Sequence, residues 1–138
     1  MYEGRGDRVE REVVLPVLPP GVWAALVDPA RVSAWFGATV EVVEARPGGR
    51  MTFRFPGGVT RTAVVEVAEP PRLLTLRWMP FEHIPSGALR RCRPGIVEFA
   101  LSRCPEGTRL RVTESAAGVG PPGHEPRALA GAPRGGIR

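Results

Sequence analysis

The chain has 138 residues, 43% hydrophobic and 24% charged, with 17 Gly and 16 Pro. This length suits one domain that buries roughly 65–70% of the surface exposed by its unfolded chain, and so many Gly and Pro require loops or irregular segments as well. The formal net charge of +5 rests on arginine, with no Lys anywhere, and only Arg90, Arg91 and Arg93 form a basic knot, which is too short for a nucleic-acid signature.

Residues 8–15, RVEREVVL, alternate charged and apolar side chains and predict a first strand. Pro19-Pro20 then open a helix in which Val22, Trp23, Leu26 and Val27 fall at helical spacing. Asp28 is placed to cap a second short helix from Pro29 to Phe36, which Gly37 stops. From residue 38 the period changes to two. Val40 and Val42, then Met51, Phe53 and Phe55, mark two strands about the turn Arg46-Pro47-Gly48-Gly49. Pro56-Gly57-Gly58 turns into a strand over 59–69, ended by Pro70-Pro71. A strand over 72–79 precedes a loop carrying Pro80, Pro85 and Gly87, with Arg90, Arg91 and Arg93 solvated. Strands over 95–103 and 108–115 meet at Pro105-Glu106-Gly107.

Short links force neighbouring strands to run antiparallel. The expected class is therefore α+β: one curved antiparallel sheet, with two short helices after its first strand and six strands following them. Residues 1–7 are expected to be an N-terminal extension and 8–115 the domain. Residues 116–138 have no apolar periodicity and no breaker-free stretch long enough for a stable helix, so an irregular tail is expected there.

Strand parity selects the inward side chains. Met51, Phe53 and Phe55 share a face opposite Thr52 and Arg54; Leu74, Leu76 and Trp78 lie opposite Thr75 and Arg77; Val97, Phe99 and Leu101 lie opposite Glu98. Trp35 and Phe36 precede the hinge Gly37, and as large rings they either plug the core or line a binding place. Glu114 is in step with Leu110 and Val112. An inward carboxylate there reaches water, pairs with an arginine or has a raised pKa; the plain alternative is a strand-end side chain in solvent. The candidate ligand-binding set is Trp35, Phe36, Met51, Phe53, Phe55, Leu76, Trp78, Phe99 and Glu114, apolar walls with one orienting group.

No P-loop, dinucleotide fingerprint or metal-ligand spacing occurs. His83 and His124 sit in Pro-rich loops, and Ser33, Ser86, Ser102 and Ser115 have no His partner for a triad. No catalytic residue, metal or cofactor is therefore assigned. Cys92 and Cys104 flank one expected strand, too far apart for a disulfide, whose α-carbons lie within about 7 Å, so both are expected to be free thiols. No run approaches the ~18 apolar residues of a membrane span, and the N-terminus MYEGRGDRVERE lacks the apolar core of a signal peptide. A cytoplasmic protein is expected.

Four segments, VWAALVDPARVSAWFG (22–37), EVVEARPGGRMTFRF (41–55), VVEVAEPPRLLTLRW (64–78) and GTRLRVTES (107–115), resemble the activator of heat-shock-protein-90 ATPase homologue family of the START-like or SRPBCC superfamily. The resemblance covers about residues 8–115. It implies a helix-grip (START-like, Bet v 1-like) fold, in which the curved sheet wraps a long C-terminal helix and leaves an apolar cavity, with Trp35 and Phe36 near its mouth. The segment RALAGAPRGGIR (127–138) resembles the loop before that helix. The helix is therefore expected to be absent or truncated, leaving the concave face open or covered by a second copy in a homodimer. The leading implied function is binding of a hydrophobic or amphipathic small molecule in the cavity. A co-chaperone-like or regulator-associated protein-interaction domain, tied to the stress response, is the second, and a cyclase- or hydrolase-type enzyme the third.

Overall fold

The computed structural model describes residues 8–116. The expected extension over 1–7, the tail after Ala116, His124 and the question of a C-terminal helix lie outside the described residues. Ten elements follow in chain order: β1 (Arg8–Leu15), α1 (Pro19–Leu26), α2 (Pro29–Phe36), β2 (Thr39–Val43), β3 (Arg50–Arg54), β4 (Thr60–Glu69), β5 (Leu73–His83), β6 (Leu89–Arg91), β7 (Gly95–Cys104) and β8 (Gly107–Ala116).

The strands form one curved antiparallel sheet in the order β1-β8-β7-β5-β4-β3-β2, with β6 paired to β5 beyond the end of β7. The chain leaves β1 at one edge, passes through the two helices, resumes at the opposite edge with β2, and returns by hairpins to β8 beside β1. The helices start and stop for local reasons. Proline occupies the first turn of both, and the Asp28 carboxylate accepts a hydrogen bond from the Ala30 N–H at 3.0 Å. Gly37 ends α2 at φ 80°, a left-handed conformation suited to glycine. The Ser33 hydroxyl then accepts from the Val40 N–H at 2.7 Å and ties the helix to β2. Val22, Trp23 and Leu26 of α1, with Val32 and Phe36 of α2, join the buried inward side chains of the sheet in one core. Among the described residues no helix is long and apolar enough to cross a membrane.

The parity expected for β3, β5 and β7 holds. Met51, Phe53, Leu74, Leu76, Trp78, Val97, Phe99 and Leu101 are buried, while Arg54, Arg77 and Glu98 are exposed. Three features depart from expectation. The β2–β3 register places Val40 opposite Phe53 but Val42 opposite Thr52, so Glu41 is the extra residue of a bulge. Val42 is thereby turned outward and exposed, and Val43 packs against the core. β5 does not stop at Met79 but runs through Pro80 to His83. Its register with β4 passes from Trp78 opposite Ala63 to Glu82 opposite Arg61, so β5 carries two more residues there than its partner. Proline, with no N–H for the ladder, is tolerated at such an irregularity. Finally, Leu89–Arg91 form β6 against β5 rather than a solvated loop, so seven strands follow the helices.

The β7–β8 hairpin presses on the segment after β1. Gly107 has φ +146°, and a Cβ there would stand 2.4 Å from the Leu15 carbonyl oxygen and 2.7 Å from the Val17 nitrogen. The adjacent Thr108 hydroxyl donates to the Val17 carbonyl at 2.5 Å. Gly57, also at positive φ, has nothing within 4 Å of the equivalent position. Gly57→Ala is expected to cost about 1–2 kcal/mol from backbone strain alone. Gly107→Ala should cost more, because the clash adds to the strain. Urea denaturation midpoints of the two variants check the order.

Candidate functional site

Cross-strand register builds the inward face. One row runs Val65–Leu76–Val97–Glu114–Val9 across β4, β5, β7, β8 and β1. The next holds Met51, Ala63, Trp78 and Gly95. Trp78 thus has a methyl group on one side and a hydrogen on the other, which leaves room for an indole within a packed sheet. Phe36 descends from α2 onto this face, its ring centroid 5.1 Å from Phe53 and 6.3 Å from Phe99. Phe53 meets Trp78 edge-on at 5.0 Å and stacks beside Phe55 at 6.5 Å, separations and tilts that favour aromatic pairs. Phe36, Met51, Phe53, Phe55, Leu76, Trp78, Phe99 and Glu114 are all buried. The structure brings these eight members of the candidate set to one face; the side chain of Trp35 lies outside the described residues.

Glu114 is 3% exposed and accepts a hydrogen bond from the Trp78 indole N–H at 3.0 Å. It therefore faces inward, and solvent does not bathe it. The same indole carries a second charged neighbour that parity reasoning on the neighbouring strands did not reach. Arg61, on β4 in step with the buried Ala63 and Val65, is 2% exposed, and its guanidinium lies 4.4 Å from the Trp78 ring centroid. One guanidinium nitrogen donates to the Arg93 carbonyl at 3.3 Å and reaches Cys92 Sγ at 3.5 Å. Arg61 Nε stands 3.7 Å from Glu82 Oε1, an ion pair without a hydrogen bond. Glu82 is equally buried, and its other oxygen accepts from Arg90 Nε at 2.9 Å and Nη2 at 2.5 Å. A chain of polar contacts thus runs from Glu114 through Trp78, Arg61 and Glu82 to the exposed Arg90.

An open cleft of about 530 Å³ lies beside this face, bounded by Ser33, Gly37, Ala38 and Thr39 at the end of α2 and by Arg54, Phe55 and the Pro56-Gly57-Gly58 turn. Phe55 belongs both to the cleft wall and to the aromatic cluster. Among the described residues no group of three His, Cys, Asp or Glu side chains is placed to hold a metal. Cys92 and Cys104 are both free thiols.

Burial pushes the Cys92 thiol above its ordinary 9.0, with nearby Arg61 opposing. The native chain consequently keeps this proton where the unfolded chain has lost it. The associated stability is complete below about pH 9 and is lost as pH rises through the raised value; Cys92→Ala should remove that alkaline loss in urea titrations. Iodoacetamide at pH 8 is expected to modify Cys104 and spare Cys92 in the folded chain, with peptide mass mapping as the check. Glu82→Gln leaves Arg61 buried without its counter-charge and should cost about 3 kcal/mol or more. Adding Arg61→Met should recover part of that loss, read from the same urea midpoints.

The sequence profile of the Activator of Hsp90 ATPase homolog 1-like proteins matches residues 17–132. No curated protein matches the chain in sequence. Among solved structures, protein MLL2253 of Mesorhizobium loti is 24% identical with a TM-score of 0.66, over 80% of this chain and 77% of that one. A Rhodobacter sphaeroides protein is 27% identical with a TM-score of 0.63, over 84% and 76%. The Aha1 dimer of Colwellia psychrerythraea, solved in solution, is 17% identical with a TM-score of 0.62, over 81% and 78%. A profile match across most of the chain, on a curved sheet with two short helices after its first strand, makes this chain a helix-grip member of the Activator of Hsp90 ATPase homolog 1-like family.

Proposed function

We propose that the domain binds an amphipathic small molecule on the concave side of its sheet. The ligand enters the cleft at the end of α2 against Phe55, behind which stand the buried ring of Phe53 and the polar chain of Trp78, Arg61 and Glu114. The observation that carries this reading is the buried polar chain around Trp78 on an otherwise apolar face. Binding sites for small molecules combine apolar walls with a few placed polar groups. A core kept for stability alone gains little from such charges, since buried ion pairs are often replaced by apolar residues at no loss. The cleft beside Phe55 supports the reading as a route of entry at the end of α2. In this reading the chain is a cytoplasmic carrier or sensor and performs no chemistry on its ligand.

Native mass spectrometry of protein purified from its own host is expected to reveal a retained small molecule. A fluorescent fatty-acid probe should bind the emptied chain, and Glu114→Gln should weaken that binding roughly tenfold by disturbing the hydrogen bond that holds the Trp78 indole. A chain that retains no small molecule and takes up no probe overturns the reading.

A further inference from the structure

We propose that the outward face of the β5–β6 hairpin is a docking surface for an acidic, apolar segment of a partner protein. This inference does not depend on a ligand in the concavity. Six large hydrophobic side chains are exposed among the described residues, and three of them, Met79, Phe81 and Leu89, sit on this one hairpin. Strand register gathers them. Phe81 lies opposite Arg91, and His83 lies opposite Leu89, so these four side chains and Met79 share the face turned away from Glu82. Exposed apolar side chains scattered singly are ordinary, whereas a cluster on one element marks an interaction surface.

Charge selects the occupant. Between residues 79 and 93 the sequence has one acid, Glu82, and three arginines. Glu82 is buried and turned inward, where it engages Arg61 and Arg90. Arg91 instead lies over the Phe81 ring, 5.7 Å from its centroid, and pairs with no carboxylate among the described residues. The exposed face therefore offers apolar contact and a positive charge, with no acid of its own to answer that charge. Recognition of an anionic membrane uses about four to eight clustered basic residues, and a nucleic acid needs several phosphate contacts. One unpaired arginine among three apolar side chains fits neither and fits a protein segment that alternates large apolar residues with Asp or Glu.

The test uses the full chain and a fluorescein-labelled synthetic peptide of alternating Phe and Asp, its Phe and Lys counterpart, and phosphatidylserine vesicles. Anisotropy titrations should show binding of the Asp peptide and none of the Lys peptide. Phe81→Ser should weaken binding roughly tenfold, and Arg91→Glu should transfer the preference to the Lys peptide. Melting curves verify folding; if Phe81→Ser does not fold, the exposed Arg91→Glu decides the matter by its charge reversal. The proposal is overturned if the Asp peptide does not bind, if both peptides bind alike, if neither variant alters binding, or if the chain attaches to the vesicles in preference to the peptide.

Discussion

The inward side of the sheet is organised by the indole of Trp78. Its ring meets Phe53 in a T-shaped pair and carries the Arg61 guanidinium, and its N–H donates to Glu114. Two small neighbours, Ala63 and Gly95, make the space. Take the ring away and three things fail together. Phe53 loses its edge contact, Arg61 loses the π face that helps to offset its desolvation, and the buried Glu114 loses the indole N–H that it accepts from. Few single side chains in a small domain settle packing and electrostatics at once in this way.

The buried charges follow from that arrangement. A guanidinium with 2% exposure is tolerable only when its charge is answered, and the answer comes from Glu82, its direct cross-strand partner. Glu82 is in turn bonded to Arg90, which is about half exposed. The bulge at Pro80 makes this pairing possible. Two extra residues in β5 keep the strand's alternation while moving Glu82 into register with Arg61. The irregularity that interrupts the ladder therefore also delivers the counter-ion.

Much of this was readable from the residues alone. The two helices could be placed because proline, Asp28 and Gly37 act locally, and the inward sets of β3, β5 and β7 because alternation is a property of each strand by itself. The misses share one cause: they depend on a partner strand. Nothing within Thr39–Val43 says that Glu41 will be extra; only pairing with β3 turns Val42 outward. Pro80 looks like a strand end because its missing N–H is a local fact, while its tolerance at a bulge depends on β4. Arg61 is not singled out by its own strand, because the groups that make it tolerable inside, Glu82 and Cys92, lie far along the chain. Glu114 could be placed on the inward face by parity, but the indole that holds it could not.

Family membership and fold do not by themselves choose a function, since one scaffold carries many. In this chain the choice narrows because opposite faces of one hairpin have opposite characters. Along β6, Arg90 points in to Glu82 and the buried polar chain, while Leu89 and Arg91 point out beside Phe81 and His83. Alternation at a period of two means that neither character can be exchanged for the other by a one-residue slip without burying Arg91 and exposing Glu82. The inward ion pairs thus fix the register that presents the outward patch. A change that loosens Glu82 from Arg61 and Arg90 therefore acts on the same three-residue strand that carries Leu89 and Arg91 outward.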